Sequence, residues 1–435
     1  MIRALFKKKV AKNAAWIIAC KLIQAVLGLV ISMLTARYLG PANFGVVNYA
    51  QSLVTFITPV AQLGLTSTMV HELVNHPEQE GEIVGTAIAM SAFSSLLCIA
   101  GLMGYVRLSS PGEPETVLVC GLYSLVLLMQ SLELIQYWFQ EKLLSKYSAI
   151  LTLCAYTVMS AYQTYLLVTR KPVAWFALSK TLEYGIIAAG LLLFYHRLSH
   201  GKLRWNARIA RRMLAHSWHY MVSFLMVMTF AQADRIMIKR MMGNTAMGYY
   251  SAAVVCANMT DFVFLAIIDS LRPVILEDKL KSQRAYEKGM SLLYCIVIYL
   301  ALLQSVVITL LAQPIVNILY GQAYAGAVRA LRIIVWYTAF SYIGTARTVW
   351  ILGERKEKTL LLINFCGAAA NIGLNLLLIP RWGIEGAALA SLVTQMFANW
   401  GIGYLLPAIR GNNRLIWKGL NPRLLLTLAV QNQQG

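Results

Sequence analysis

The chain contains about twelve apolar runs, each long enough to cross the roughly 30 Å hydrocarbon core of a membrane. Only 13% of its residues are charged, and the mean hydropathy is +0.61. A water-soluble fold of this composition would expose large apolar patches. The sequence therefore predicts an all-α polytopic membrane protein. The runs cover residues 13–38, 44–71, 83–107, 115–140, 147–169, 173–197, 214–240, 247–273, 286–311, 326–352, 359–380 and 385–408.

The basic residues that give the formal net charge of +20 are distributed along the chain as expected for a membrane protein. Most Lys and Arg residues fall in alternate connectors, those that face the cytoplasm if both termini do, which is the positive-inside pattern. This distribution argues against nucleic acid as a partner. Residues 72–82 depart from it, because they carry four Glu and no Lys or Arg. We expect a multi-pass protein with cytoplasmic termini.

A polar connector from Ser199 to Ser217 separates two sets of six predicted helices. The segment LGPANFGVVNYA in the first set is echoed by MGNTAMGYYSAA, 203 residues later, in the second. Six-helix halves of equal orientation are an established transporter plan. The predicted organisation is a basic N-terminus 1–12, a six-helix lobe 13–198, a basic connector 199–213, a second six-helix lobe 214–408 and a basic tail 409–435.

The stretch from Gly40 to Thr68 carries a polar stripe on an apolar helix. A helical period places these polar residues on one face. Small hydroxyl residues and Pro also serve helix packing, but amides on the same face favour a water-filled cavity. We expect Asn48, Gln51 and Gln62 to bind substrate. The stripe comprises Asn48, Gln51, Ser52, Thr55, Thr58, Pro59, Gln62 and Thr66.

Several charged residues fall inside predicted helices, where an unpaired charge is costly. Lys21, Arg235 and Arg332 are candidate cations for an anionic substrate. Snorkelling toward the interface is an equal alternative for Lys21. Lys180 and Glu183 share one helical face and could simply neutralise each other.

Acids within predicted helices are candidates for ion coupling. Asp261 is the first candidate, since its own helix offers it no cationic partner, although a structural hydrogen-bonding role is an alternative. The candidates are Asp261, Asp234, Glu183 and Asp269.

Motifs for enzymatic chemistry are absent from the sequence. It contains no GxxxxGK[ST] phosphate loop, so energy would have to come from an H+ or Na+ gradient. His196 with His200, and His216 with His219, have helical metal-like spacing but fall at membrane boundaries without nearby Cys or carboxylate partners. We therefore assign no catalytic residue, metal or cofactor. An intramembrane glycan polymerase is the alternative class, and a structural scaffold is a third.

Five stretches together resemble the polysaccharide biosynthesis flippases, a branch of the multidrug/oligosaccharidyl-lipid/polysaccharide exporter superfamily. The resemblance extends from Asn13 to about Pro407. It lies in the order and spacing of the motifs. They are LGPANFGVVNYA, ADRIMI, MGYYSAA, LYGQAYAGAVRALRI and NIGLNLLLIPRWGIEGAALASLVTQ.

The resemblance implies a bacterial inner-membrane protein with two six-helix lobes around a central cavity. It would flip an undecaprenyl-diphosphate-linked oligosaccharide to the periplasmic leaflet for O-antigen, capsule or exopolysaccharide synthesis. A polysaccharide polymerase and chain-length proteins are possible partners on this reading. A multidrug exporter or a lipid II exporter of the same superfamily is an alternative.

Overall fold

The computed structural model describes residues 2–199, 201–356 and 358–424, and their side chains except those of residues 2–22 and 25. Within these residues the secondary structure is helical, which confirms the all-α polytopic class. The helices are α1 Ile2–Ala61, α2 Met69–Asn75, α3 Glu80–Ser109, α4 Pro114–Ser124, α5 Val126–Glu133, α6 Gln136–Glu141, α7 Ser145–Val168, α8 Val173–Leu198, α9 Ala207–Met242, α10 Asn244–Ala257, α11 Asp261–Lys281, α12 Gln283–Leu319, α13 Ala327–Gly353, α14 Lys358–Met396, α15 Ile402–Leu405 and α16 Arg410–Gly419.

Eight described helical segments are long and apolar enough to cross a membrane, one of them Pro114–Glu141, which comprises α4, α5 and α6. The number is nine if the bent pair α10 and α11 forms one span. Helices α1 and α14 are each broken by a glycine with positive φ, Gly40 and Gly383. Such a backbone favours glycine, which lacks a Cβ. Each of these two helices can be divided at its glycine into two segments, and the 27-residue helix α13 adds one more. The described segments then number twelve, as the apolar runs predict.

The two similar segments, LGPANFGVVNYA and MGNTAMGYYSAA, also share a backbone conformation at their glycines. Gly40 has φ 70° and ψ 172°, and its counterpart Gly243 has φ 87° and ψ −174°. Each glycine separates a preceding helix from the next one, and Pro41 opens the second helix after Gly40, where its missing N–H costs nothing. The matching conformations support the repeat that the sequence indicates.

The chain divides into two compact units, Met1–Gln232 and Ala233–Gly435. The division falls inside α9, beyond the predicted connector 199–213. In the first unit, Ile209 and Met213 of α9 are buried in the same core cluster as Leu65 and Trp138. The start of α9 therefore belongs to the first unit, because its apolar face is buried there.

The basic connector is docked on the acidic stretch 72–82. The Arg204 amide donates to the Gly81 carbonyl at 3.2 Å, and the Asn206 side chain donates to Glu82 at 2.7 Å. Arg212 pairs with Glu72 at 2.9 Å. Three of the four Glu that depart from the charge pattern therefore contact connector residues, because Ser199 donates to Glu80 as well, whereas Glu78 lies near His76.

The second unit buries a core of α11, α12, α13 and the chain that follows α14. A π-helical segment, Phe397–Gly401, joins α14 to α15. Helix α16 packs closely on α12, because a Cβ on Gly419 would lie 2.7 Å from the Cβ of Tyr294. Tyr294 also donates to Asn412 at 2.5 Å. The described part of the predicted tail is thus held on the protein core.

Candidate functional site

Six of the eight stripe residues line a cavity of about 390 Å³ in the first unit, four of them in α1 and two, Gln62 and Thr66, beyond its end at Ala61. For the four residues in α1, this confirms the prediction from helical period that the polar face lines a cavity. The side-chain amides of Gln and the hydroxyls of Thr can both donate and accept hydrogen bonds there. The stripe residues in the lining are Gln51, Thr55, Thr58, Pro59, Gln62 and Thr66.

Four other helices, α4, α5, α8 and α9, complete the lining. Gln130 of α5 accepts from Thr58 at 3.4 Å, a long hydrogen bond, and Tyr184 of α8 also bonds Gln130. Phe224 and Met228 of α9 contribute apolar surface. The lining therefore offers amides and hydroxyls beside an apolar surface.

Lys180 is the cation in the described lining of this cavity. Its ammonium lies 2.9 Å from Glu183 and 5.3 Å from the centre of the Tyr156 ring. The Lys180 side chain is 30% exposed and that of Glu183 is 9% exposed, so the lysine is the more accessible partner. The sequence places the two residues on one face, and the structure adds that Lys180 borders the cavity. It can attract an anionic group there, although Glu183 offsets part of its charge.

Two stripe residues do not line the cavity. The Asn48 side chain donates to the Phe44 carbonyl at 2.8 Å, one turn earlier, and Ser52 is fully buried. Asn48 therefore satisfies its amide within α1, so its proposed role as a substrate ligand rests on the sequence pattern alone.

The three predicted cations are not brought together in this cavity. The side chain of Lys21 lies outside the described residues. Arg235 and Arg332 belong to the second unit, whereas the described lining of the cavity comes from the first. Arg235 is half-buried, and Arg332 is exposed on α13.

The acids of the second unit have different surroundings. Asp234 is buried, and it accepts hydrogen bonds from Tyr250 and from Ser391, the latter at 3.3 Å. Asp261 accepts from Tyr342 of α13 at 2.5 Å. Asp269 is 61% exposed and pairs with a cation one turn along its helix, at 3.0 Å. The most shielded of the three is Asp234.

A buried arginine in the second unit, Arg347, is not among the cations that the sequence singles out. Arg347 is only 4% exposed. It donates to the Ala398 carbonyl at 2.8 Å and to the Asn399 side chain at 3.0 Å. Both acceptors lie in the π-helical segment, and helical periodicity gives no signal for such a segment.

Solved structures share this fold. A lipid II flippase MurJ in an inward closed conformation superposes with a TM-score of 0.72 at 12% identity, covering 95% of this chain and 92% of that one. An inward-facing multidrug resistance MATE family transporter of the MOP superfamily gives 0.70 at 12% identity, covering 91% and 96%. A MOP superfamily transporter from Pyrococcus furiosus gives 0.63 at 13% identity, covering 94% and 96%. The chain therefore has the fold of MOP superfamily transporters.

The family is identified from the sequence match. Residues 10–277 match the model of the polysaccharide biosynthesis protein family, and the chain belongs to that family. This confirms the resemblance indicated by its motifs. An uncharacterized membrane protein of Methanocaldococcus jannaschii is 22% identical over 234 residues, which are 51% of this chain and 45% of the relative. The match thus spans less than half the length of that relative.

Proposed function

We propose that the protein flips an undecaprenyl-diphosphate-linked oligosaccharide from the cytoplasmic to the periplasmic leaflet by gradient-driven alternating access. The observation that carries this proposal is the cavity of the first unit, with amides and hydroxyls from α1 and Lys180 from α8. Membership of the polysaccharide biosynthesis family supports it. The shared fold with a lipid II flippase supports a lipid-linked glycan as the substrate class.

The physical problem is the transfer of a polar headgroup through hydrocarbon. Each unpaired hydroxyl or phosphate charge costs kilocalories in such a medium. Gln51 and Gln62 can exchange hydrogen bonds with sugar hydroxyls in place of water. Lys180 can attract a phosphate oxygen as a point charge. The protein acts here by binding and lowering this barrier, without chemical change to the substrate.

The test is flipping by variants of the α1 stripe in proteoliposomes, together with complementation of a flippase-null strain. Gln51→Leu and Gln62→Leu should each lower flipping about tenfold, the effect of losing about 1.4 kcal/mol from one hydrogen bond. Asn43→Leu is the matched control, because Asn43 lies on the same helix, outside both the stripe and the cavity lining. It should keep wild-type flipping.

Wild-type glycan flipping by both glutamine variants would contradict the proposal. Loss of cationic drug export with intact glycan flipping would instead assign the cavity to a multidrug exporter. Lys180→Met should also lower flipping, with Lys180→Arg retaining more of it, because a positive charge suffices for an electrostatic contact.

We also propose that an H+ or Na+ gradient drives the cycle, with Asp261 as the first coupling candidate. The carboxylate is held by Tyr342 across two helices, so a change in its charge could alter the packing of α11 on α13. Asp261→Asn should preserve substrate binding and lose the response of flipping to a gradient. Glu277→Gln is the control, because Glu277 lies on the same helix, is exposed and ion-paired, and is not a coupling candidate. An Asp261→Asn protein that responds fully to both gradients would remove this assignment.

A further inference from the structure

A second cavity, of about 690 Å³, lies in the second unit between the first turns of α12 and the chain around α16. Four basic side chains line it: Arg284 and Lys288 from α12, and Arg414 and Lys418 from α16. We refer to it as the basic cavity. Neither the proposed flipping nor the cavity in the first unit uses these residues.

The charge of the basic cavity is unbalanced. Glu287 is the carboxylate in its described lining, and it pairs with Lys418 at 3.0 Å. One carboxylate neutralises one of the four cations. Arg284, Lys288 and Arg414 remain as an excess of positive charge on the described wall, which favours an anionic ligand.

A buried hydroxyl is a second, independent observation that indicates a ligand in the basic cavity. Ser291 lines the same cavity, is only 3% exposed, and its Oγ has no hydrogen-bond partner within the described residues. A helical serine usually donates to a carbonyl of the preceding turn, and a buried hydroxyl without a partner costs free energy. A ligand oxygen in the cavity would accept this hydrogen bond.

The rim of the basic cavity is amphipathic. Trp417 is 51% exposed, and its indole N–H donates to Tyr404 at 2.6 Å, so about half of an otherwise apolar ring is accessible on a hydrogen-bonded side chain. Leu424 adds an apolar side chain to the lining. Indole rings with a satisfied N–H are typical of the membrane–water boundary. A ligand for this site would therefore combine an anionic head with an apolar part.

We propose that the basic cavity binds the phosphate headgroup of an anionic phospholipid. Arg284, Lys288 and Arg414 surround the phosphate, Ser291 donates a hydrogen bond to one of its oxygens, and the acyl chains leave past Trp417. The charge pattern of the sequence places both basic segments on the cytoplasmic side, where anionic lipids attract polybasic segments. The same phosphate chemistry occurs in free inorganic phosphate, so the experiment must separate the two sources.

The experiment measures lipid binding by the purified full chain in neutral detergent, by native mass spectrometry and by thermal stabilisation. Phosphatidylglycerol, phosphatidylcholine and inorganic phosphate are titrated separately. The test variant is Lys288→Gln with Arg414→Gln. The control of equal charge is Lys281→Gln with Arg410→Gln, two exposed positions outside the lining.

The expected result is saturable binding of phosphatidylglycerol, with no stabilisation by phosphatidylcholine or inorganic phosphate. The test variant should bind phosphatidylglycerol about tenfold more weakly or worse, since it lacks two basic contacts. The control should change affinity by less than about threefold, because neither residue lines the cavity and an exposed charge makes a small contribution. Ser291→Ala, a smaller change that leaves the cations in place, should weaken binding as well.

Two results would overturn the proposal. Equal binding of phosphatidylglycerol by the wild type, the test variant and Ser291→Ala would show that the basic cavity is not the lipid site. Stabilisation by inorganic phosphate equal to that by phosphatidylglycerol would assign the cavity to a free anion. Neither result depends on whether the protein flips a glycan, because flipping is not measured.

Discussion

Replacing Gly81 with Ala should release the connector from α3. A Cβ at Gly81 would lie 2.4 Å from the Lys202 carbonyl oxygen and 3.0 Å from the Gly201 carbonyl carbon. Both are backbone atoms, so no side-chain rotation can relieve the contact. The connector would have to move away from the start of α3.

The cost can be worked from the contacts that hold the connector. Arg204 donates to the Gly81 carbonyl at 3.2 Å, and Asn206 donates to Thr86 at 3.0 Å and to Glu82 at 2.7 Å. Two neutral hydrogen bonds of about 1 kcal/mol and one to a carboxylate of about 2 kcal/mol give a loss of about 4 kcal/mol. The higher helix propensity of Ala returns at most about 1 kcal/mol. The net destabilisation is therefore about 3 kcal/mol.

The assay combines thermal unfolding in detergent, followed with a thiol-reactive dye, and limited trypsin digestion. Buried Cys120 reports unfolding of the first unit, and cleavage after Lys202 reports release of the connector. Gly101→Ala is the matched control, because it changes the same helix at a position with no heavy atom within 4 Å of the new Cβ. It should be as stable as the wild type or slightly more so. If Gly81→Ala matches this control in both measurements, the packing argument is refuted.

Two further predictions concern single buried contacts, and a third concerns the membrane topology. Lys180→Met should destabilise the first unit by about 3 kcal/mol, because it leaves the buried Glu183 carboxylate without its cation, and adding Glu183→Gln should restore most of that stability in thermal unfolding. Arg347→Lys should lower the unfolding temperature, because it cannot reproduce both hydrogen bonds to the π-helical segment, whereas Arg329→Lys on the exposed face of the same helix should not. A cysteine placed at Lys202 should react with thiol reagents only after the membrane is permeabilised, and labelling of intact cells would reverse the predicted topology.

Local sequence features account for much of the fold. Apolar run length predicts the helices, since the hydrocarbon thickness sets the number of residues that a span needs. The Gly-Pro pair at 40–41 marks a helix break that the structure contains. The three-to-four-residue spacing of Gln51, Thr55, Thr58 and Gln62 predicts the polar face of α1, because a helix of fixed period displays such residues together.

Contacts between segments that lie far apart in the sequence could not be predicted from these local features. Periodicity gives the face of one helix, but it does not give the rotation of a neighbouring helix against it. Lys180 and Gln130 therefore had no sequence signal that would place them beside the α1 stripe. The position of Arg347 likewise depends on a π-helical turn about 50 residues away, and such turns have no hydrophobic period of their own.

The sequence by itself determined the membrane class, the family and the polar face of α1. These properties depend on residues close in sequence, through hydrophobic length, charge asymmetry and helical period. Only the tertiary structure decided that the connector is docked on α3, that α9 begins in the first unit, and that Lys180 borders the α1 cavity. Those outcomes depend on close packing between surfaces far apart in the chain, where a single Cβ at Gly81 or one buried apolar face such as that of Met213 selects the arrangement.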